Sequence, residues 1–188
     1  MLCLSIFTVY LAVSGITPNL IPALTDRGLT PASAARIQGL LGIAIILGRV
    51  VVGALVDRFW APGVALVSLL LPVAGCLILA TTTSLPLIYT SVLLIGFAAG
   101  AELDLMAFLV SRYFGLRHYS KIYSVMYALL AFGSGTAPML FAAVYDRTAS
   151  YEVSFIAAAA LFAIGAVVVV ALGRYPVRPT TAAQGASP

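Results

Sequence analysis

Residues 63–82, GVALVSLLLPVAGCLILATT, contain no charged side chain. An α-helix rises about 1.5 Å per residue, so this stretch is long enough to cross the roughly 30 Å hydrocarbon core of a bilayer. Turn-forming segments flank it, residues 57–62 before and residues 83–86 after. Apolar runs of similar length follow beyond both turns. The pattern predicts one membrane-spanning helix among several.

The same pattern recurs along the whole chain of 188 residues. Hydrophobic residues make up 62% and charged residues only 9%, whereas about 25% of a soluble domain is charged. The predicted spans cover about 2–24, 31–56, 63–82, 87–108, 122–145 and 152–172. We therefore expect an all-α membrane protein, with one bundle of six transmembrane helices over residues 1–173. Residues 174–188, rich in Pro, Ala and Thr, are expected to form a disordered cytoplasmic tail.

The basic residues predict an orientation. One side of the predicted bundle carries Arg58, Arg112, Arg117, Lys121, Arg174 and Arg178, and the other carries Arg27, Arg36 and Arg147. Because Lys and Arg are enriched in cytoplasmic loops, this distribution predicts a cell (inner) membrane protein with both termini in the cytoplasm. The net charge of +4 then reflects topology. No basic patch interleaved with aromatics is present, so no nucleic-acid partner is expected.

Two helix ends have similar sequences. Asp57-Arg58 ends the second predicted span and Asp146-Arg147 ends the fifth. In a bundle of two three-helix units these positions are equivalent and lie on opposite sides of the membrane. That arrangement is an inverted 3+3 repeat.

Residues 48–58, GRVVVGALVDR, resemble the signature turn of the major facilitator superfamily. Residues 112–117, followed by Ile122-Tyr123, resemble the loop before the eleventh helix in the oxalate/formate and monocarboxylate-transporter-like branches. Residues 145–155 are similar to the turn before the last helix there. The resemblance implies half of a major facilitator fold, the C-terminal six-helix half.

The resemblance also implies a function and partners. A complete transporter of this type holds its substrate between two six-helix halves that rock in turn. The implied partners are the lipid bilayer, a small-molecule substrate, and a missing N-terminal six-helix half or a second copy of the chain. In the family turn, glycine allows close helix contact, aspartate caps a neighbouring helix and arginine bridges nearby acids. Gly53, Asp57 and Arg58 are therefore expected to form a conformational latch.

Three ionisable residues fall inside predicted spans, namely Arg49, Glu102 and Asp104. Such groups usually face a bundle interior or a water-filled cavity. Helical rise places Arg49 and Asp104 roughly 12 Å, and Glu102 about 15 Å, from the same membrane face. Arg49 is a candidate to bind an anionic substrate, and either acid is a candidate to carry a proton. A structural ion pair between spans two and four is the alternative, and the choice of acid stays open.

Prolines and glycines inside the spans have two possible roles. Candidate hinges, with ordinary packing as the alternative, are Pro18, Pro22, Gly133, Gly135 and Pro138. In the second span, Gly39, Gly42 and Gly53 are expected to let helices approach closely, as small residues do in membranes.

Transport of a small solute by alternating access is the predicted function, with a small organic anion as its substrate. A channel or a structural membrane-assembly subunit is the alternative, and an intramembrane enzyme is disfavoured because the single histidine, His118, lies in a loop. A nucleophile and its base therefore cannot pair within the membrane. No His/Cys/Asp/Glu cluster of metal-ligand spacing is present. Neither a metal nor another cofactor is expected, and no enzymatic activity.

Overall fold

The computed structural model describes residues 2–115 and 119–171. The described residues form six α-helices: α1 (Leu2–Asp26), α2 (Pro31–Arg58), α3 (Ala61–Thr81), α4 (Leu85–Phe114), α5 (Tyr119–Thr148) and α6 (Glu152–Val170). Each is long and apolar enough to cross a membrane, which confirms the prediction of an all-α fold with six spans. The predicted tail, residues 174–188, lies outside the described residues, as do Arg117, His118, Arg174 and Arg178.

Local sequence explains where the helices begin and end. Thr30 caps α2, its hydroxyl accepting from the Ser33 amide at 3.3 Å. At its other end α4 continues to Phe114, six residues beyond the predicted 87–108. Polar residues there suggested a loop, but the helix ends only at Gly115. The φ of Gly115 is 72°, a left-handed backbone conformation that glycine adopts more readily than any other residue. The extra turns place Arg112 in the last turn of α4.

The helices pack with a pseudo-twofold arrangement. Helix α2 packs on α4, as α5 packs on α1; α3 packs on α4, as α6 packs on α1; and α3 and α6 pack on each other. Exchanging the first three helices with the last three reproduces this set of contacts. Since α1 and α4 cross the membrane in opposite directions, the repeat is inverted. The bundle is thus a 3+3 inverted repeat, the arrangement that the resemblance to half of a major facilitator fold implies.

Glycines allow two of these helices to cross in backbone contact. A Cβ at Gly48 of α2 would lie 2.0 Å from the Phe97 carbonyl oxygen of α4, and a Cβ at Gly100 would lie 2.0 Å from the Ile45 carbonyl oxygen. Only residues without a side chain fit such a crossing. The three glycines that were predicted to allow close approach form no such contact. Nothing lies within 4 Å of a Cβ built at Gly39, Gly42 or Gly53. They are on a different side of α2 from the contact, so that prediction is wrong for this bundle.

The candidate hinges lie within continuous helices. Pro18 and Pro22 are inside α1, and Pro138 is inside α5. Gly133 is buried, whereas Gly135 has open space around it. Proline removes a backbone hydrogen bond wherever it interrupts a helix. Their role as hinges stays a prediction.

At the end of the bundle opposite Arg58, Arg27 links three inter-helix connections. Its Nη1 donates to the Thr82 carbonyl oxygen at 3.1 Å, and its Cζ lies 5.6 Å from the centre of the Phe155 ring. Burial lowers the pKa of Arg27, and the nearby Glu152 carboxyl partly offsets this effect. The contacts hold together the ends of α1 and α3 and the beginning of α6.

Candidate functional site

Arg49 and Asp104 form an ion pair between α2 and α4. The Arg49 Nε lies 3.3 Å from the Asp104 Oδ2, and this is the only ion pair among the described residues. Both side chains are about half exposed, at 53% and 42%. The structure therefore brings Arg49 to Asp104 and not to Glu102, which answers the question that sequence left open.

The close crossing of α2 and α4 at Gly48 and Gly100 determines where this ion pair lies. Gly48 directly precedes Arg49, and its Cα hydrogens face the backbone of α4. On α4, Gly100 lies one turn before Asp104, and a Cβ there would be 3.0 Å from the Arg49 amide nitrogen. The two backbones thus touch within one turn of both charged residues. The signal in the sequence is Gly96-Phe97-Ala98-Ala99-Gly100, a small-xxx-small motif that sequence analysis missed.

The pair lies deep along the helices. Arg49 is nine residues before Arg58, at the end of α2, which corresponds to about 13 Å of helix. Asp104 is ten residues before Phe114, at the end of α4, which corresponds to about 15 Å. Charged groups at such depth are costly when they face acyl chains. The half-exposed face around Arg49 and Asp104 is therefore suited to contact with water or another protein surface.

Glu102 lies on a different side of α4. Its side chain is only 5% exposed, and neither carboxylate oxygen has a hydrogen-bond partner. It lines a cavity of about 30 Å³ in the middle of the bundle, together with Ser5 of α1 and aliphatic residues of four helices. The two acids of α4 thus occupy different environments: Asp104 is half-exposed and paired, and Glu102 is buried and unpaired.

The residues of the predicted latch lie together at the end of α2. Asp57 and Arg58 are exposed, and neither forms an ion pair with another described residue. A Cβ at Gly53 would meet only open space. The latch stays a prediction, and its contacts require groups beyond the described residues.

Comparison with known proteins identifies one family. The family model described as Major Facilitator Superfamily matches residues 2–188. No curated protein matches the chain significantly. The match covers all six helices and includes both members of the ion pair.

Proposed function

Because the chain belongs to the major facilitator superfamily, a family of membrane transporters, we propose that it moves a small organic anion by alternating access as one half of a secondary transporter. Membership and the six apolar helices make it a multi-pass membrane protein that takes part in solute transport. The observation that carries the finer proposal is the half-exposed ion pair of Arg49 and Asp104.

Arg49 has the chemistry to bind a carboxylate. A guanidinium has five N–H donors, and among the described residues only its Nε contacts an acid. The Nη edge is therefore free to form the two parallel hydrogen bonds by which arginine binds carboxylates. An anion between the two halves would meet this edge. A lysine could not offer the same planar fork.

The existing pair is weak enough to be exchanged. Its 3.3 Å separation exceeds the roughly 2.7–2.9 Å of a strong charge-assisted hydrogen bond. Pairs as exposed as this one contribute about 0–1 kcal/mol in water. A substrate carboxylate can therefore replace Asp104 at little cost.

The open face also supports a partner. We infer that the N-terminal six-helix half of a transporter, or a second copy of this chain, covers the face that carries the ion pair. The cleft between the halves would then hold the substrate and water next to Arg49. In the same proposal both termini are cytoplasmic, and Gly53, Asp57 and Arg58 act as a latch at the cytoplasmic end.

Anion binding to the purified complete assembly that contains this chain, held in lipid nanodiscs, tests this function. Formate, lactate and oxalate serve as probes, and isothermal calorimetry gives their dissociation constants. We expect Arg49→Lys to weaken binding by about tenfold or more, because two fork hydrogen bonds are lost. Asp104→Asn should bind at least as well as wild type, because the carboxylate that competes with the anion is removed. The matched control is Arg36→Lys, an exposed arginine in the second turn of α2.

Two results would contradict the proposal. Equal affinities of the wild type and Arg49→Lys for every bound probe would show that the guanidinium does not hold the anion. Weaker binding in Asp104→Asn than in wild type would show that the Asp104 carboxylate does not compete with the anion for Arg49.

A further inference from the structure

An apolar groove lies between the end of α2 and the first half of α3, and it has a volume of about 540 Å³. Leu55 and Phe59 of α2 line one side, and α3 lines the other with side chains between residues 63 and 71. Phe97 of α4 lies between the two helices. Ser68 is the one polar side chain among the described residues that line the groove. Such a lining is suited to hydrocarbon.

The groove is about as long as one leaflet of a bilayer is thick. It extends from Trp60, directly before α3, to Leu71, which corresponds to about 16 Å of helix. Half of a hydrocarbon core of roughly 30 Å is about 15 Å. Phe59 is 63% exposed and Val67 is 61% exposed, so the groove is open along its length. One acyl chain of a lipid therefore fits these dimensions.

The mouth of the groove combines a cation with an aromatic ring. Arg58 comes three residues after Leu55, so the two residues share one side of α2. Arg58 is exposed and forms no ion pair with another described residue, and Asp57 is turned about 100° away around the helix. The Trp60 ring packs on Gly63, where a Cβ would lie 3.0 Å from it. Because tryptophan favours the headgroup level of a membrane and arginine binds phosphate, a lipid phosphate at this level would meet the Arg58 guanidinium.

The groove lies away from the face that the partner is proposed to cover. Arg49 and Arg58 are nine residues apart, or about two and a half helical turns, which places them on opposite sides of α2. A second six-helix unit that covers Arg49 therefore leaves the side with Arg58 to the bilayer. Lipid is then the material that meets the groove.

We propose that the groove binds one acyl chain of an anionic phospholipid and that Arg58 holds the phosphate of this lipid. The inference goes beyond the transport proposal, and it rests on that proposal only for the side of α2 that faces lipid. In the proposed orientation the lipid belongs to the cytoplasmic leaflet, whose anionic lipids attract basic residues next to membrane spans. The groove also adjoins the α2–α4 crossing, since Phe97 lines it and the Phe97 carbonyl oxygen faces Gly48.

Trp60 provides the assay, because it is the single tryptophan of the chain and lies at the mouth of the groove. The purified complete assembly that contains this chain is placed in phosphatidylcholine nanodiscs. Increasing mole fractions of phosphatidylglycerol or phosphatidylcholine with brominated acyl chains are included, and bromine quenches tryptophan fluorescence on contact. Subtracting the emission of Trp60→Phe isolates the Trp60 signal. The variants are Arg58→Gln, Arg58→Lys and the matched control Arg36→Gln, at an exposed arginine near the other end of α2.

We expect brominated phosphatidylglycerol to reach half-maximal quenching at an about fivefold lower mole fraction than brominated phosphatidylcholine, the gain typical of one basic residue at an anionic membrane surface. Arg58→Gln should remove this preference, and Arg36→Gln should leave it unchanged. Arg58→Lys should keep part of it, because lysine also binds phosphate.

A second pair of variants tests the groove itself. Val67→Phe should narrow the groove and reduce quenching by both brominated lipids. The control Leu77→Phe, at another exposed position of α3, about 15 Å of helix beyond Val67, should not reduce it. Equal quenching in Val67→Phe and Leu77→Phe would overturn the groove as the site of the acyl chain.

Three other results would overturn the proposal. Equal half-maximal mole fractions of the two lipids in wild type would show that the site does not select an anionic headgroup. A preference that survives in Arg58→Gln would show that Arg58 does not hold the phosphate. Absence of quenching by either lipid would show that protein covers the groove. None of these measurements depends on transport or on an added organic anion, so the binding test of Arg49 stands or fails separately.

Discussion

Gly48→Ala tests how the α2–α4 crossing is built. The new methyl group would lie 2.0 Å from the Phe97 carbonyl oxygen and 2.7–2.8 Å from its carbonyl carbon and Cα. A favourable carbon–oxygen contact is about 3.3 Å or longer, so the helices must separate locally by about 1 Å. Phe97 presents backbone at this point, which cannot rotate away as a side chain could. We therefore expect the helices to move apart instead of absorbing the methyl group.

The expected destabilisation follows from two opposing terms. Overpacking of this kind costs about 1–3 kcal/mol, and the better helix propensity of alanine returns up to about 1 kcal/mol. Because the clash is with backbone, the cost lies in the upper part of that range, about 2–3 kcal/mol. The net loss is then about 1–2 kcal/mol, which lowers Tm by about 2–8 °C for a chain of this size. The Arg49–Asp104 separation of 3.3 Å should also lengthen, since both residues are within one turn of the crossing.

Cys76 provides the assay. It is fully buried in α3, so a thiol-reactive fluorophore reports unfolding in a Cys3→Ala background. The matched control is Gly42→Ala on the same helix, where nothing lies within 4 Å of a new Cβ. That variant should unfold at the wild-type temperature or slightly above it. The reasoning would be refuted if Gly48→Ala matched the control.

Three further outcomes are expected. Arg27→Gln should lower the free energy of unfolding by about 1–2 kcal/mol, because its hydrogen bond to the Thr82 carbonyl and its contact with the Phe155 ring are lost. The control Arg36→Gln, at an exposed arginine, should change it by less than about 0.5 kcal/mol. Equal destabilisation of the two variants in the thiol assay would contradict this expectation. Ser5→Ala should cost about 1 kcal/mol through loss of its bond to Gly165, and an unchanged Tm would show that the bond has no net effect. Asp57→Asn should slow transport by the complete assembly without reducing insertion, and equal transport rates would remove the latch.

The number and type of helices could be predicted because the bilayer imposes them. A stretch such as residues 63–82 has no soluble alternative that hides its apolar surface. The end of α4 could not be predicted in the same way. Arg112 and its polar neighbours are compatible with either a loop or a last helical turn, and only the backbone conformation of Gly115 decides between them.

Which glycines contact a neighbouring helix could be decided only from the packing of the helices. A helix as long as α2 has glycines on several faces, and composition does not show which face meets a neighbour. Gly48 forms the contact, whereas Gly42, which the sequence had suggested for this role, does not. The spacing of Gly96 and Gly100 on the partner helix was the more informative signal, because two small residues four apart lie on one face.

The two acids of α4 show what residue spacing alone can and cannot predict. Residues two apart on a helix differ by about 200° around the axis, so sequence predicts that Glu102 and Asp104 face different ways. It does not predict which one meets Arg49, because that depends on where α2 crosses. The crossing at Gly48 and Gly100 decides it, and it leaves Glu102 buried on another side of α4.

The half-exposed charges argue that this bundle acts within a larger assembly. If the face with Arg49 and Asp104 met acyl chains, two charged groups about 13–15 Å from the ends of their helices would stay in contact with hydrocarbon. Their weak mutual attraction could not offset that cost, because the pair is held by a single 3.3 Å contact. The proposed second six-helix unit would remove the difficulty and would create a wet cleft at the same place. The groups that make the bundle unsuited to stand alone in lipid are thus the groups best placed to bind an anion between two halves.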